Sequence, residues 1–192
     1  MYSKVLLISE SLEQSKKINK ALKNKGFDFE FRLVSDSNIK QQLVSNKFNI
    51  AIFSVYKTQP NQITLLHHIQ KNAPKPVIVF TEKSDEQWIL DAVNAGANSI
   101  VVDGIEEHRI INIVNIAIAR FERCMLLHSE LTNTKQKLQE RKDIERVKGI
   151  LMHKNKISED AAYQLIRKMA MDKKLRIGEV ANSLLYALEL LD

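Results

Sequence analysis

The residues of this chain best equipped for recognition chemistry are cations. Between Lys135 and Arg176 stand thirteen Lys and Arg against six Asp and Glu, a local excess of +7 in a chain of net charge +6. Lysine brings a point charge, and arginine a planar fork that fits a phosphate or a base edge. Such a segment permits nucleic-acid binding, although from charge alone a solvated helical face is the better description. Other chemistries find little footing. The single cysteine, Cys124, allows no intrachain disulfide and no cysteine-based metal site, which fits a reducing cytoplasm. His67 and His68 are adjacent and would point about 100° apart on a helix, a poor arrangement for one metal ion. No glycine-rich phosphate loop, nucleophile triad or metal-ligand cluster is present in the sequence. No cofactor is expected, and an enzyme is the least expected reading.

The elements that position these residues come from 192 amino acids, 44% hydrophobic and 27% charged, enough for one ordinary domain and a small one. Five Gly and three Pro leave little room for long disordered linkers. No apolar run approaches the roughly 20 residues of a membrane span. The apolar stretch inside Met1–Glu10 reads as a strand and not as a signal peptide, because no small-residue cleavage site follows it. A cytoplasmic protein away from membranes is expected.

From residue 4 to about 120, strand-like runs alternate with amphipathic ones. Strands are expected at Lys4–Ser9, Phe29–Val34, Asn49–Tyr56, Pro76–Phe80 and Ser99–Val102. Helices are expected at Leu12–Lys25, Ser37–Ser45, Gln62–Asn72, Glu86–Ala95 and from Glu106 onward, with Gly26 and Gly96 as stop signals. The alternation predicts an α/β fold, a doubly wound five-stranded parallel sheet of flavodoxin-like order 2-1-3-4-5. Any site should lie at the carboxyl ends of strands one and three, which are Ser9-Glu10-Ser11 and Ser54.

The fifth helix has no reason to stop at the domain edge. From Glu106 to His153 there is no proline, and the only glycine is Gly149. Cys124, Leu127, Leu131, Thr134 and Leu138 recur at spacings of three and four, a short heptad-like stripe. A mostly polar helix of this length has little other way to bury Leu127, Leu131 and Leu138, so a homodimeric coiled coil is expected. The boundaries expected are 1–120 for the α/β domain, 121–141 for the coiled-coil linker and 142–192 for a small helical domain.

The α/β half resembles the receiver domain of two-component response regulators. That resemblance assigns a cation-binding acidic pair to Ser9-Glu10, a phosphoryl acceptor to Ser54, the switch hydroxyl to Thr81 and the usual lysine to Asp103. Serine forms no acyl phosphate, and one carboxylate is a poor Mg²⁺ site. Phosphoryl transfer depends on positioning and charge neutralisation, so the resemblance implies a pseudo-receiver: the fold without its phosphorylation switch.

The C-terminal third carries a denser resemblance. Asp143-Ile144-Glu145-Arg146-Val147-Lys148-Gly149-Ile150-Leu151-Met152, Ser158-Glu159-Asp160-Ala161-Ala162-Tyr163 and Arg167-Lys168-Met169-Ala170-Met171-Asp172 resemble the ANTAR module. This is a three-helix domain that binds paired RNA hairpins and prevents transcription termination. Val77–Asp85, Val101–Gly104, Ala117–Glu122 and Glu140–Arg146 extend the resemblance to one subgroup, the NasT-type nitrate/nitrite-assimilation antiterminators. Asp103 is usual in that subgroup, whereas Ser9 and Ser54 depart from it. The resemblance implies tandem hairpins in a leader mRNA as the target. It also implies a nitrate- or nitrite-sensing regulator, itself resembling periplasmic binding proteins.

Three small-domain helices are expected: Lys142–His153, Ser158–Lys173 with Ser158 as N-cap, and Ile177–Leu191. Ile150, Leu151, Ala162, Leu165, Ile166, Met169, Val180, Leu184 and Leu188 should form the core. Met152, Met169, Ala170 and Met171 fit core packing, and the resemblance adds Ala170 and Met171 as close-approach positions beside RNA. The expected RNA contacts are Arg146, Lys148 and Arg167 for loop bases, with Lys168, Lys173, Lys174 and Arg176 for phosphates and loops. Two rival readings share these charges: a DNA-binding response regulator and a protein-interaction adaptor.

Overall fold

The computed structural model describes residues 4–10, 12–103 and 106–189, with side chains at all of these except 13, 14, 188 and 189. The chain divides into two compact units, Met1–Met125 and Leu126–Asp192.

The first unit is a three-layer α/β sandwich. Its strands are β1 (Lys4–Ser9), β2 (Asp28–Leu33), β3 (Ile50–Lys57), β4 (Val77–Lys83) and β5 (Ser99–Val102). They form one parallel sheet in the order β2-β1-β3-β4-β5, as the alternation of runs predicts. Strand periodicity splits the core cleanly. Val5, Leu7, Ile50, Ile52, Ile78 and Phe80 face α1 (Leu12–Asn24) and the start of α5 (Glu107–Asn155). Leu6, Ile8, Ala51, Phe53, Val77 and Val79 face α2 (Ile39–Val44), α3 (Pro60–Asn72) and α4 (Glu86–Asn94).

Local chemistry sets the helix ends. Asp85 Oδ1 accepts the Trp88 N–H at 2.7 Å and caps α4. Pro60 occupies the first turn of α3, two residues before the expected start at Gln62. There the missing N–H costs nothing, and Gln59 and Gln62 form a reciprocal cap. β3 and β4 run past the apolar residues to Lys57 and Lys83, because parallel pairing continues into the polar segment. α1 and α4 stop in the same way. Gly26 and Gly96 adopt positive φ, and the next N–H bonds back across the turn, Phe27 to Leu22 and Ala97 to Ala92.

The second unit contains the C-terminal part of α5, then α6 (Glu159–Lys173) and α7 (Ile177–Glu189). Val147, Ile166, Ala170, Val180, Ala181 and Leu185 form its buried centre, with Ile144, Ile150, Leu151, Met169, Ile177 and Leu184 packed around them. On α6 the inward line runs Ala162, Ile166, Ala170, a spacing of one turn. Leu165 stands off that line and is exposed, which corrects its expected place in the core. Leu188 as a core side chain, the end of α7 at Leu191, and Ser11 and Gly104 in the first unit lie outside the described residues.

Candidate nucleic-acid interface and the strand-end site

Hydroxyls stand in the carboxyl-terminal halves of β1, β3 and β4, Ser9 and Ser54 on one face of the sheet and Thr81, paired with Val55, on the other. Ser9 and Ser54 are direct neighbours across the β1–β3 register, and Ser9, Ser54 and Thr81 are all buried. Thr81 Oγ1 donates to the Lys83 carbonyl at 3.0 Å and lies 3.3 Å from that of Tyr56. Glu10, exposed beside them, accepts the Tyr56 backbone N–H at 2.9 Å. The one carboxylate that could have faced a cation thus holds the end of β3. Asp103 is exposed and sits in the left-handed region at φ 59°. Among the described residues, no three His, Cys, Asp or Glu side chains gather closely enough to hold a metal ion.

The second unit presents its cations unevenly. On α6, Tyr163, Arg167 and Met171 follow one another at intervals of one turn, with Lys168 beside them. All four are exposed, and Met171 at 70% is the most exposed large apolar side chain among the described residues of the unit, against the expectation that it packs inside. Lys173, Lys174 and Arg176 are exposed around the end of α6, and Arg146 is exposed on α5. Ser158 caps α6 by accepting the Ala161 N–H, and Glu159 and Asp160 occupy its first turn.

Two residues expected beside RNA are held within the unit, Lys148 by ion pairs and Ala170 in the core that its fit to core packing predicted. Lys148 is only 8% exposed, and its ammonium lies 2.8 Å from Glu145 Oε1 and 2.7 Å from Glu159 Oε1. The hydrogen bonds it donates to these two carboxylates raise its pKa, and the lysine in turn lowers that of Glu159. Lys148 therefore fastens α5 to the first turn of α6 and has no charge turned outward for a base. Ala170, 3% exposed, belongs to the core. Its small side chain lets α6 approach its neighbours.

The sequence reading named Tyr163 only within the ANTAR resemblance and assigned it no contact. Its offset from the Ala162–Ile166–Ala170 line was the available signal. The heptad-like stripe is fully displayed: Cys124, Leu127, Leu131, Thr134 and Leu138 are all exposed.

Residues 132–185 match the ANTAR domain family. The transcriptional regulatory protein PdtaR of Mycobacterium tuberculosis is 26% identical over 162 residues, covering 82% of this chain and 79% of that protein. The nitrate regulatory protein of Klebsiella oxytoca is 46% identical over 59 residues, which is 31% of this chain but only 15% of that protein. The sheet domain superposes on the CheY-like receiver domain protein of Methanospirillum hungatei with a TM-score of 0.54 at 15% identity, covering 64% of this chain and 98% of that one, a likeness of fold. This chain therefore joins an N-terminal domain of receiver fold to a C-terminal ANTAR domain.

Proposed function

We propose that this protein is an RNA-binding transcription antiterminator. It grips two tandem hairpins in a nascent leader mRNA, one of which overlaps the terminator stem, and polymerase reads through because that stem is held open. The observation that carries the reading is the exposed face of α6 within the ANTAR match, where Tyr163, Arg167, Lys168 and Met171 line one side. An aromatic ring beside an arginine suits an unpaired loop base, which stacks on the ring and offers its edge to the guanidinium. Arg146, Lys173, Lys174 and Arg176 supply attraction for phosphates.

Two copies act together through the Leu127–Leu131–Leu138 stripe. Joining two weak modules multiplies affinity by about 10²–10⁴ when both hairpins are present on one RNA. The working parts on this reading are a pseudo-receiver at 1–120, a coiled-coil linker at 121–141 and the RNA-binding domain at 142–192.

Control comes from a ligand-sensing protein that resembles periplasmic binding proteins, acting in the cytoplasm on nitrate- or nitrite-assimilation genes. The local match to a nitrate regulatory protein supports this choice of genes. Aspartyl phosphorylation does not operate, because Ser54 replaces the acceptor and Glu10 is engaged with the Tyr56 backbone. Incubation with acetyl phosphate and Mg²⁺ should leave the intact mass unchanged; an acid-stable or acid-labile phosphoryl adduct on the first unit would overturn that part.

The experiment for the whole reading is a titration at one salt concentration. It uses a two-hairpin leader RNA, the same RNA with altered loop bases, and duplex DNA of equal length. Tight binding to the intact hairpins alone supports antitermination. Equal binding to all three overturns it and favours a DNA regulator or an adaptor.

A further inference from the structure

Four helices of the chain end on a left-handed residue, two on glycine in the first unit and two on lysine in the second. In the first unit α1 and α4 end on a left-handed glycine, Gly26 at φ 75° and Gly96 at φ 101°. In the second unit α5 and α6 end on a left-handed lysine, Lys156 at φ 51° and Lys174 at φ 55°. The turn at Lys174 has the same bonding as the glycine turns, with Leu175 N–H on the Ala170 carbonyl at 3.0 Å and Lys174 N–H on that of Met171.

A side chain in this region crowds its Cβ against the backbone, a penalty glycine escapes. Asn and Asp tolerate the region best among the other residues, which accounts for the third such position, Asp103. Lysine has no such excuse. Glycine would close both turns at lower conformational cost, although a lysine at a helix C-terminus recovers part of that difference from the helix dipole. Backbone strain of this kind collects where a side chain is used. Both lysines are exposed, and they bracket α6, whose outward face carries Arg167 and Lys168.

We propose that Lys156 and Lys174 are phosphate-contacting residues of the RNA site, kept at the two ends of α6 against the more stable glycine. The inference rests on the RNA reading above and adds Lys156 to it. The two ammonium groups extend the cationic track past both ends of a 15-residue helix, about 22 Å long, so that the backbone of one hairpin is held on either side of the loop that Arg167 reads. Being lysines, they attract phosphates without selecting bases.

The test uses the full chain and a synthetic RNA with two tandem hairpins. Wild type is compared with Lys156→Gly/Lys174→Gly and with Lys156→Arg/Lys174→Arg, each in salt titrations from 0.1 to 1 M and in thermal unfolding. The glycine pair should melt at or above the wild-type temperature. It should lose about 25–60-fold more affinity at 0.1 M salt than at 1 M, because each phosphate contact contributes about 0.7–0.9 to the salt slope. The loss should be uniform across loop sequences, and the arginine pair should keep the wild-type slope. An unchanged slope in the glycine pair overturns the proposal, as does a lower melting temperature with unchanged RNA binding, which would make the lysine stems structural. If wild type itself binds no hairpin RNA at any salt, the RNA reading fails and takes this proposal with it.

Discussion

Gly178, in the first turn of α7, tests how closely the second unit is packed. A Cβ placed on Gly178 would lie 2.8 Å from Glu140 Cγ, 3.0 Å from its Cβ and 3.1 Å from its Cδ. Ordinary contacts begin near 3.4 Å, so α5 or α7 must yield by about half an ångström. Overpacking of this kind costs about 1–3 kcal/mol. Helix propensity works the other way, but exchanging Gly for Ala gains at most about 1 kcal/mol, and less in a first turn. Gly178→Ala should therefore destabilise the unit. In a unit this small each kcal/mol lowers the melting temperature by roughly 4–8 °C. A double-mutant cycle with Glu140→Ala removes the uncertainty in the propensity term, which is the same in both backgrounds. Removing Cγ and Cδ takes away two of the three close contacts, so the coupling should be about 1 kcal/mol or more in the relieving direction. Hydrogen exchange at the buried α7 residues Val180, Ala181 and Leu185 reads the second unit. Fluorescence of Trp88, the only tryptophan, reads the first and should not change. Additive effects within about 0.3 kcal/mol would refute the close approach.

Four further outcomes are expected. Lys148→Met should lower the melting temperature of the second unit at neutral pH while leaving the salt slope of RNA binding unchanged; a shallower slope would return Lys148 to the interface. The pH dependence has a definite sign. The contribution of Glu159, whose pKa is lowered from the usual 4.5, is present above 4.5 and lost as pH falls through its folded value. That of Lys148, raised from 10.5, is lost only as pH rises through the raised value. Acid unfolding of the second unit should accordingly begin below about pH 4.5, with a flatter acid limb in Lys148→Met; equal limbs would contradict the ion pair. Lys75, buried, donates to the Ser45 and Phe48 carbonyls at 3.0 and 2.9 Å. Lys75→Met strands both and should cost the first unit about 1–3 kcal/mol by Trp88 fluorescence, and an unchanged midpoint would show the bonds to be dispensable. Leu131→Asp, at the centre of the exposed stripe, should leave a folded monomer in sedimentation and weaken two-hairpin RNA binding by about 10²–10⁴-fold. A variant that stays dimeric, or a monomer that binds as tightly, would remove the coiled coil from the mechanism.

The sequence alone determined the architecture of both units, because each element announced itself by local physics. Buried parallel strands need unbroken apolar runs, and those at Ile50–Val55 and Val77–Phe80 are legible without a partner in view. Gly26, Gly96 and Ser158 mark helix ends through backbone chemistry that neighbouring elements do not alter. The long α5 was equally legible, since between Glu106 and His153 nothing interrupts it. The missing aspartate acceptor was legible as well, because Ser54 follows the apolar run Ile50–Phe53 in a strand whose place in the sheet follows from order. What the sequence could not decide was which charge is spent inside. Lys148 looks like any cation in a basic helix until α6 folds back and sets Glu159 beside Glu145. Met171 and Leu165 were misplaced for a related reason: which side of α6 faces inward depends on where Val147, Val180 and Ala181 stand. The left-handed turns at Lys156 and Lys174 are hidden too, because a lysine gives no local sign of positive φ. Only the tertiary structure decides these, since each depends on a partner distant in the chain or on a backbone angle that the residue type does not specify.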